Sequence, residues 1–518
     1  MSSKQIAAIM PSSSISLRAL AWWGLSVCAI LLPLVIGLGL IRFNLNASLS
    51  SFTPFDSDEV VYWHQIATFR MVGFNGGQYS VDELTAPAAF SHFHTHGFFH
   101  PTLFGLIARV TGWTYTTPII LHISLLMIAI GVFIAVTKPS IQKLAWLIFL
   151  LATFWQLWMY IPSVMQENVH QAGSLLMACC FYVRLSKRER TPVIVDVIFI
   201  LLVTLLALLR LTWAFLAIPY FLLLTRQRWA ALLSAGLLIL FAVIVFFYTG
   251  APYPRNFPST FLALIAANLP FTDLAYIAAI YFFENLANLV LGNPLMVLAR
   301  GQIILLITWL SISGLPPAHL PPLFRKAQVS MPLTERRLHI FNLVMIFYLH
   351  LQVYTIKAWA DYRVMAPHLL FTLLLMIAFK RYRMLVVIIA LNLAAAGAFW
   401  TEFNQMNAIK FHADLERREA FSRAFNETLI YDAQAPSAWC NTVYVKEFYP
   451  ELVELPAGIG FSASPHRPMQ APFRSRYVLI PDGDPDAFVP PPTFDPSSLV
   501  PLAETPVGTL YLNNDAAC

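Results

Sequence analysis

The sequence predicts an all-α polytopic membrane protein with a small α/β domain at its C-terminal end. Three observations carry this. Of 518 residues, 58% are hydrophobic and 12% charged, about half the charge of a soluble domain. Apolar runs near the length that crosses a bilayer recur from residue 20 to residue 400. Beyond Trp400 the chain changes character: a charged stretch (402–429) gives way to Pro-rich chain with the strand-like segments TVYVK, RYVLI and GTLYLN. The division is therefore 1–400, a transmembrane domain, and 401–518, a small domain outside the membrane. The net charge of +6 lies mostly in short connectors, so it reads as topology and not as nucleic-acid binding.

About eleven spans are expected, at 20–41, 117–137, 142–161, 167–183, 193–209, 211–224, 229–248, 303–316, 338–354, 363–379 and 384–400. The first is too long for a signal peptide and reads as an uncleaved helix. The apolar run 193–224 is too long for one span and is split at Arg210. The stretch 274–299, broken by Glu284, Asn285, Asn288 and Pro294, reads as interfacial or re-entrant. With this count the basic clusters (Lys4 and Arg18; Lys138 and Lys143; Arg184 to Arg190; Arg226 and Arg228; Arg325 to Arg337; Lys380 to Arg383) fall on one side, expected to be cytoplasmic with the N-terminus. The loop 42–116 and the tail are then outside.

That loop holds the densest cluster of acids and histidines in the chain: Asp56, Asp58, Glu59, Asp82, Glu83, His92, His94, His96 and His100. A long polar loop between apolar spans is more often functional than a mere connector. Two amphipathic helices along the membrane surface are expected in it. One is 58–74, with Val60, Trp63, Ala67, Met71 and Phe74 on one stripe and Asp58 and Glu59 in its first turn. The other is 100–112, with Leu103, Leu106, Ile107 and Val110.

A carboxylate just outside the membrane can take a proton from an acceptor hydroxyl. Helix capping plus solvated charge is the plainer reading of Asp56, Asp58 and Glu59, and accounts for one or two of the three. The alternating His92, His94 and His96 suit hydrogen bonds to sugar hydroxyls or phosphate, or simple interfacial packing, better than a metal, and His100 can position the helix it opens. Arg210, Arg255, Arg300, Lys357 and Arg363 run against the charge bias of the loops. Each therefore wants an anionic partner, a lipid or substrate phosphate among them. Glu167 and His170 open a span on the same side and can line the same cavity. Cys440 and Cys518 frame the tail, where an oxidising compartment would favour a disulfide; two free thiols are the alternative.

Taken together, SDEVVYWHQIA, the surface helix in HGFFHPTLFGLIARVTGW, the stretch LLALLRLTWAFLAIPYFLLL and DYRVMAPHLLFTLLLMIA resemble the GT-C superfamily of membrane glycosyltransferases, which includes the protein O-mannosyltransferases and aminoarabinose transferases. The resemblance covers roughly residues 20–400 and implies an inverting transfer of a sugar from a polyprenyl-phosphate donor to a lipid, glycan or protein acceptor on the outer face. It places the base first on Asp58, then on Glu59 or Asp56, and makes Arg363 a donor-phosphate contact. Arg210, Lys357, Glu167, His96 and His100 are further substrate-binding candidates. Such a donor carries its own leaving group, so no nucleotide site or cofactor is required and a divalent metal is optional. A lipid-linked oligosaccharide ligase or polymerase is the nearest alternative, and a transporter or flippase is more distant, because the spans carry few midplane charges.

Overall fold

A computed structural model describes residues 17–518 apart from 56, 85–97, 188–190, 250–269, 315–330, 354–360, 413, 465–472, 483–493 and 517. Asp56, His92, His94, His96, Arg255 and Lys357 lie outside the described residues. The described helices are α1 (Leu17–Gly39), α2 (Ser57–Val72), α3 (Phe99–Thr111), α4 (Thr117–Thr137), α5 (Ile141–Thr153), α6 (Trp155–Trp158), α7 (Glu167–Lys187), α8 (Val193–Leu209), α9 (Ala217–Leu224), α10 (Arg228–Thr249), α11 (Phe271–Ala287), α12 (Pro294–Ile312), α13 (Leu333–Val353), α14 (Asp361–Ala378), α15 (Tyr382–Ala394), α16 (Ala396–Asn407) and α17 (Leu415–Thr428).

Four of these, α1 (continued to Asn44), α4, α10 and α12, are long and apolar enough to cross a membrane; α15 with the chain from Ala396 to Phe411 makes a fifth if that pair, bent by 55°, is one span. Several expected spans take other forms. The run 142–161 stops being helical at Thr153. The run 211–224 is a 3-10 turn (Leu211–Leu216) followed by α9. The stretch 274–299 is not one interfacial piece: α11 ends at Ala287, and Asn293 caps α12 by accepting from the Met296 N–H at 2.9 Å. The Pro294 that reads as a breaker in the sequence sits in the first turn of α12, where its missing N–H costs nothing.

Between α5 and α7 the chain runs through α6 and an irregular stretch, and residues 154–175 are buried throughout. Irregular backbone inside an apolar bundle needs side-chain partners. It finds them on neighbouring helices: Asn168 donates to the Tyr160 carbonyl at 2.9 Å and Gln171 to the Gln156 carbonyl at 2.7 Å. This explains why α7, which packs against α4 and α14, opens so polar for a core helix. It also sets Glu167 at its first position.

The six strands form one sheet in the order β1-β3-β2-β4-β6-β5: β1 (Tyr79–Val81), β2 (Thr442–Val445), β3 (Gly460–Ala463), β4 (Tyr477–Pro481), β5 (Leu499–Thr505) and β6 (Gly508–Asn513). The first four are parallel; β6 is antiparallel to both β4 and β5. All three strand-like segments of the tail are strands. β1, however, comes from the first polar loop and pairs Tyr79 with Phe461. Loop and tail are thus one folded unit. Gly77 and Gly460 let the two backbones meet there: a Cβ at Gly77 would stand 1.9 Å from the Asn441 carbonyl oxygen, and one at Gly460 would stand 2.1 Å from that of Gln78.

The loop helices are packed differently from the expected stripes. Val60 to Ile66 are all buried, because α2 lies between α3 on one side and the tail on the other, whereas Met71 and Phe74 are exposed. On α3 the inward face is His100, Phe104, Gly105 and Ala108, with Gly105 against the Phe69 ring, while Leu106 and Val110 point outward. Leu106 and Val110 are therefore free to meet lipid, whereas Leu103 of the expected stripe packs on the core.

Polar groups at the loop–tail contact are half-buried or buried, and matched. Tyr115 stacks on Trp63 at 4.5 Å, donates to Glu454 at 2.8 Å, and lies under the Arg418 guanidinium, which also donates to Glu454. Glu83, in the left-handed region at φ 58°, accepts from the Arg474 and Ser475 N–H groups at 2.8 and 2.9 Å. Burial raises its carboxyl pKa, and those donors oppose the rise.

His64 is fully buried, with Nδ1 2.7 Å from the Tyr79 hydroxyl and Nε2 2.9 Å from the Leu455 carbonyl. Burial lowers its pKa to about 4. The unfolded chain therefore binds the proton first as pH falls. The contribution of His64 is complete above pH 6.5 and is lost between pH 6.5 and 4, a total of about 3 kcal/mol. Unfolding temperatures measured across that window should fall with pH, and His64→Gln should remove this part of the slope.

Cys440 and Cys518 form a disulfide with Cα atoms 5.6 Å apart, tying the chain end to the start of β2 across 78 residues. Replacing both with serine should destabilise the sheet unit by about 2–5 kcal/mol, seen as an earlier thermal transition in the non-reduced full chain.

Candidate functional site

Four charged side chains from four separate elements meet where the bundle joins the sheet unit. Asp58 comes from the first turn of α2, Glu167 from the first residue of α7, Arg210 from the break after α8, and Arg363 from the first turn of α14. Asp58 Oδ2 is 3.5 Å from Arg363 Nη1. Glu167 Oε1 is 3.8 Å from Arg363 Nε and 3.0 Å from Arg210 Nη2. Arg210 also donates through Nη1 to the Arg363 carbonyl at 3.0 Å.

Local structure explains why these residues converge. Arg210 is extended (φ −154°, ψ 115°) between α8 and the 3-10 turn, so its side chain turns into the bundle instead of following the helix. The split that the sequence suggests at Arg210 is this break. Glu167 is held by the irregular stretch before α7. Asp58 sits in the first turn of α2, where the helix dipole favours a negative charge.

The four charges alternate in sign and differ in access. The side chains of Glu167 and Arg210 are 2% and 5% exposed; those of Asp58 and Arg363 are 16% and 23% exposed. Glu167 and Arg210 thus form a buried base, and Asp58 and Arg363 form the accessible layer above it. Arg210, expected at a substrate phosphate, is turned toward Glu167 and the backbone.

Tyr62, one turn after Asp58, completes the wall. It is buried, and its phenol pKa is raised well above 10, first by burial and then by the negative charges of Asp58 and Glu167. It stays protonated and so is a hydrogen-bond donor. His100, expected to touch substrate, lies beneath it, edge-on to Tyr62 at 4.7 Å and against Phe104 at 4.5 Å. Beneath the charges, Trp213 Nε1 donates to His170 Nδ1 at 3.1 Å, and His368 lies between Asn342 and Thr212 at 2.7 and 3.1 Å.

Glu59 does not share this opening. It is fully buried and paired with Lys410 at 2.8 Å, itself 2% exposed, and its other oxygen accepts from the Phe55 N–H at 3.3 Å. Adjacent helix positions point about 100° apart, so the two acids of the pair face different surroundings. Sequence reading missed Lys410 and Tyr62. Lys410 carries no local signal, because its partner is 351 residues away. Tyr62 lies within the quoted SDEVVYWHQIA segment, four positions after Asp58 and so on its face of the helix.

The fold and the site together describe a membrane-spanning helical bundle with a half-open charge cluster under a small mixed sheet. Among solved structures the chain is similar to ArnT from Cupriavidus metallidurans. The structure described as bound to undecaprenyl phosphate matches at 12% identity and a TM-score of 0.49, covering 96% of this chain and 98% of that one. The apo structure matches over the same shares at 11% identity and a TM-score of 0.42. No family model matches the chain, and no curated protein does.

Proposed function

We propose that this protein is a membrane glycosyltransferase of the GT-C kind, moving a sugar with inversion from a polyprenyl-phosphate donor to a lipid, glycan or protein acceptor on the outer face of the membrane. The observation that carries the reading is the accessible Asp58–Arg363 pair seated on the buried Glu167–Arg210 pair.

The chemistry follows from access and charge. An anionic donor phosphate reaching the site meets Arg363, the more exposed cation, and competes with Asp58 for it. Asp58, released from Arg363, then lies beside the sugar and can accept the acceptor's hydroxyl proton. The acceptor oxygen bonds to the anomeric carbon from the face opposite the phosphate. The bond from that carbon to the phosphate oxygen breaks, and the electron pair leaves with the phosphate. The second negative charge that develops there is stabilised by Arg363 and by donors such as the Tyr62 hydroxyl. Glu167 holds Arg363 from behind, and Arg210 balances Glu167. In this scheme Glu59 is structural, and the roles of Asp56, His96 and Lys357 stay proposals of the sequence alone.

Purified full-length protein incubated with a panel of polyprenyl-phosphate sugars and membrane-derived acceptors should release polyprenyl phosphate and yield glycosylated product. If no donor is turned over and none binds, the reading fails.

A further inference from the structure

A cavity of about 520 Å³, whose lining includes none of the four cluster residues, opens between the start of α12 and α16. That volume lies within the range of small-molecule sites, roughly 300–1,000 Å³. Its lining includes Asn293, Met296, Ala398, Thr401, Glu402 and Gln405. Glu402 is 6% exposed. Its Oε2 accepts from Asn293 Nδ2 at 2.6 Å and its Oε1 from the Tyr362 hydroxyl at 3.5 Å. The Asn293 amide is locked, because its oxygen caps α12.

Glu402 is therefore held between two neutral donors, with no cationic partner among the described residues. Arg300 is the nearby cation; its guanidinium donates to the carbonyls of Asn288, Leu289 and Leu291, the last at 2.6 Å. A buried carboxylate without a cationic partner is costly unless a ligand supplies one. Thr401 donates to the Gly397 carbonyl at 3.1 Å, which leaves its oxygen free to accept. The acceptors at the cavity thus suit a group with several N–H donors and a positive charge. Close in sequence to lining residues, the apolar Val290, Leu291 and Trp400 are 77%, 57% and 49% exposed. Tryptophan is enriched at the headgroup level of a bilayer.

We propose that this cavity is a second ligand site, separate from the charge cluster, that takes the primary ammonium of a lipid headgroup, with Glu402 as its counter-ion. The proposal is independent of the transferase reading. A quaternary ammonium has the charge without the N–H donors and should bind less well.

The test is native mass spectrometry of the full-length protein with phosphatidylethanolamine, phosphatidylcholine and phosphatidylglycerol of identical chains. Wild type should retain the ethanolamine lipid roughly tenfold more than the others, the range of one hydrogen-bonded charge pair. Glu402→Gln should abolish that preference, while Asp58→Asn should keep it. Thr401→Lys, which places a tethered ammonium in the cavity, should also abolish it, and does not depend on Glu402→Gln folding. Competition by soluble glycerophosphoethanolamine assigns the site to the headgroup alone, and lack of competition to the membrane-anchored form. Equal retention of the three lipids by wild type, or a preference that survives both variants, overturns the proposal.

Discussion

Asp58→Asn should lower sugar transfer by about 10²–10⁴-fold, the range for loss of a positioned general base. The substitution keeps the shape of the side chain and an oxygen for Arg363, 3.5 Å away, and weakens the competition for that cation, so donor binding should not be lost. The loss should therefore fall on kcat and not on KM. The amide is no longer a base, and among the described residues of the cluster no other acid is placed to replace it: Glu167 is 2% exposed and engaged by two arginines. Arg363→Gln should show the complementary pattern, weaker donor binding together with slower transfer, because it removes the cation from both ground state and leaving group. Transfer surviving near the parent rate in a folded Asp58→Asn protein would move the base to Asp56.

The largest stability effect is expected at Lys410. Removing one partner of a buried ion pair leaves the other charge unpaired, at a cost of about 3–5 kcal/mol. Lys410→Met should therefore lower the unfolding temperature markedly, since Glu59 is fully buried 2.8 Å away. Converting both to methionine removes both charges and should recover most of the loss. The same double variant separates structure from catalysis. Its activity per folded molecule should stay near that of the parent, whereas a double variant as inactive as Asp58→Asn would put Glu59 back among the catalytic acids.

The cluster was legible residue by residue but not as a cluster. Asp58, Glu167, Arg210 and Arg363 each stand out as a charge at the end of an apolar run, and each is placed at the site. Only the family resemblance ranked Asp58 ahead of Glu59; the residues themselves did not, because neighbouring helix positions look alike until their surroundings are known. The helix-stripe argument failed on α2 for a related reason. Periodicity predicts one buried face, but α2 is covered on two sides, so nearly every position in its first half is buried.

Composition and pattern by themselves determined the membrane character of the chain, the strands of the tail, the break at Arg210 and the charges that make up the site. These follow from local chemistry: apolar length, alternation, and charges out of place among apolar residues. Tertiary structure alone decided that β1 joins the tail's sheet, that Glu59 belongs to Lys410, and that α7 opens polar to satisfy an irregular stretch. The first two depend on groups far apart in the chain, the third on polar partners a few turns away, and all on meeting in a low-dielectric interior, where an unmatched polar group or charge is too costly to leave and local sequence does not say which partner will be there.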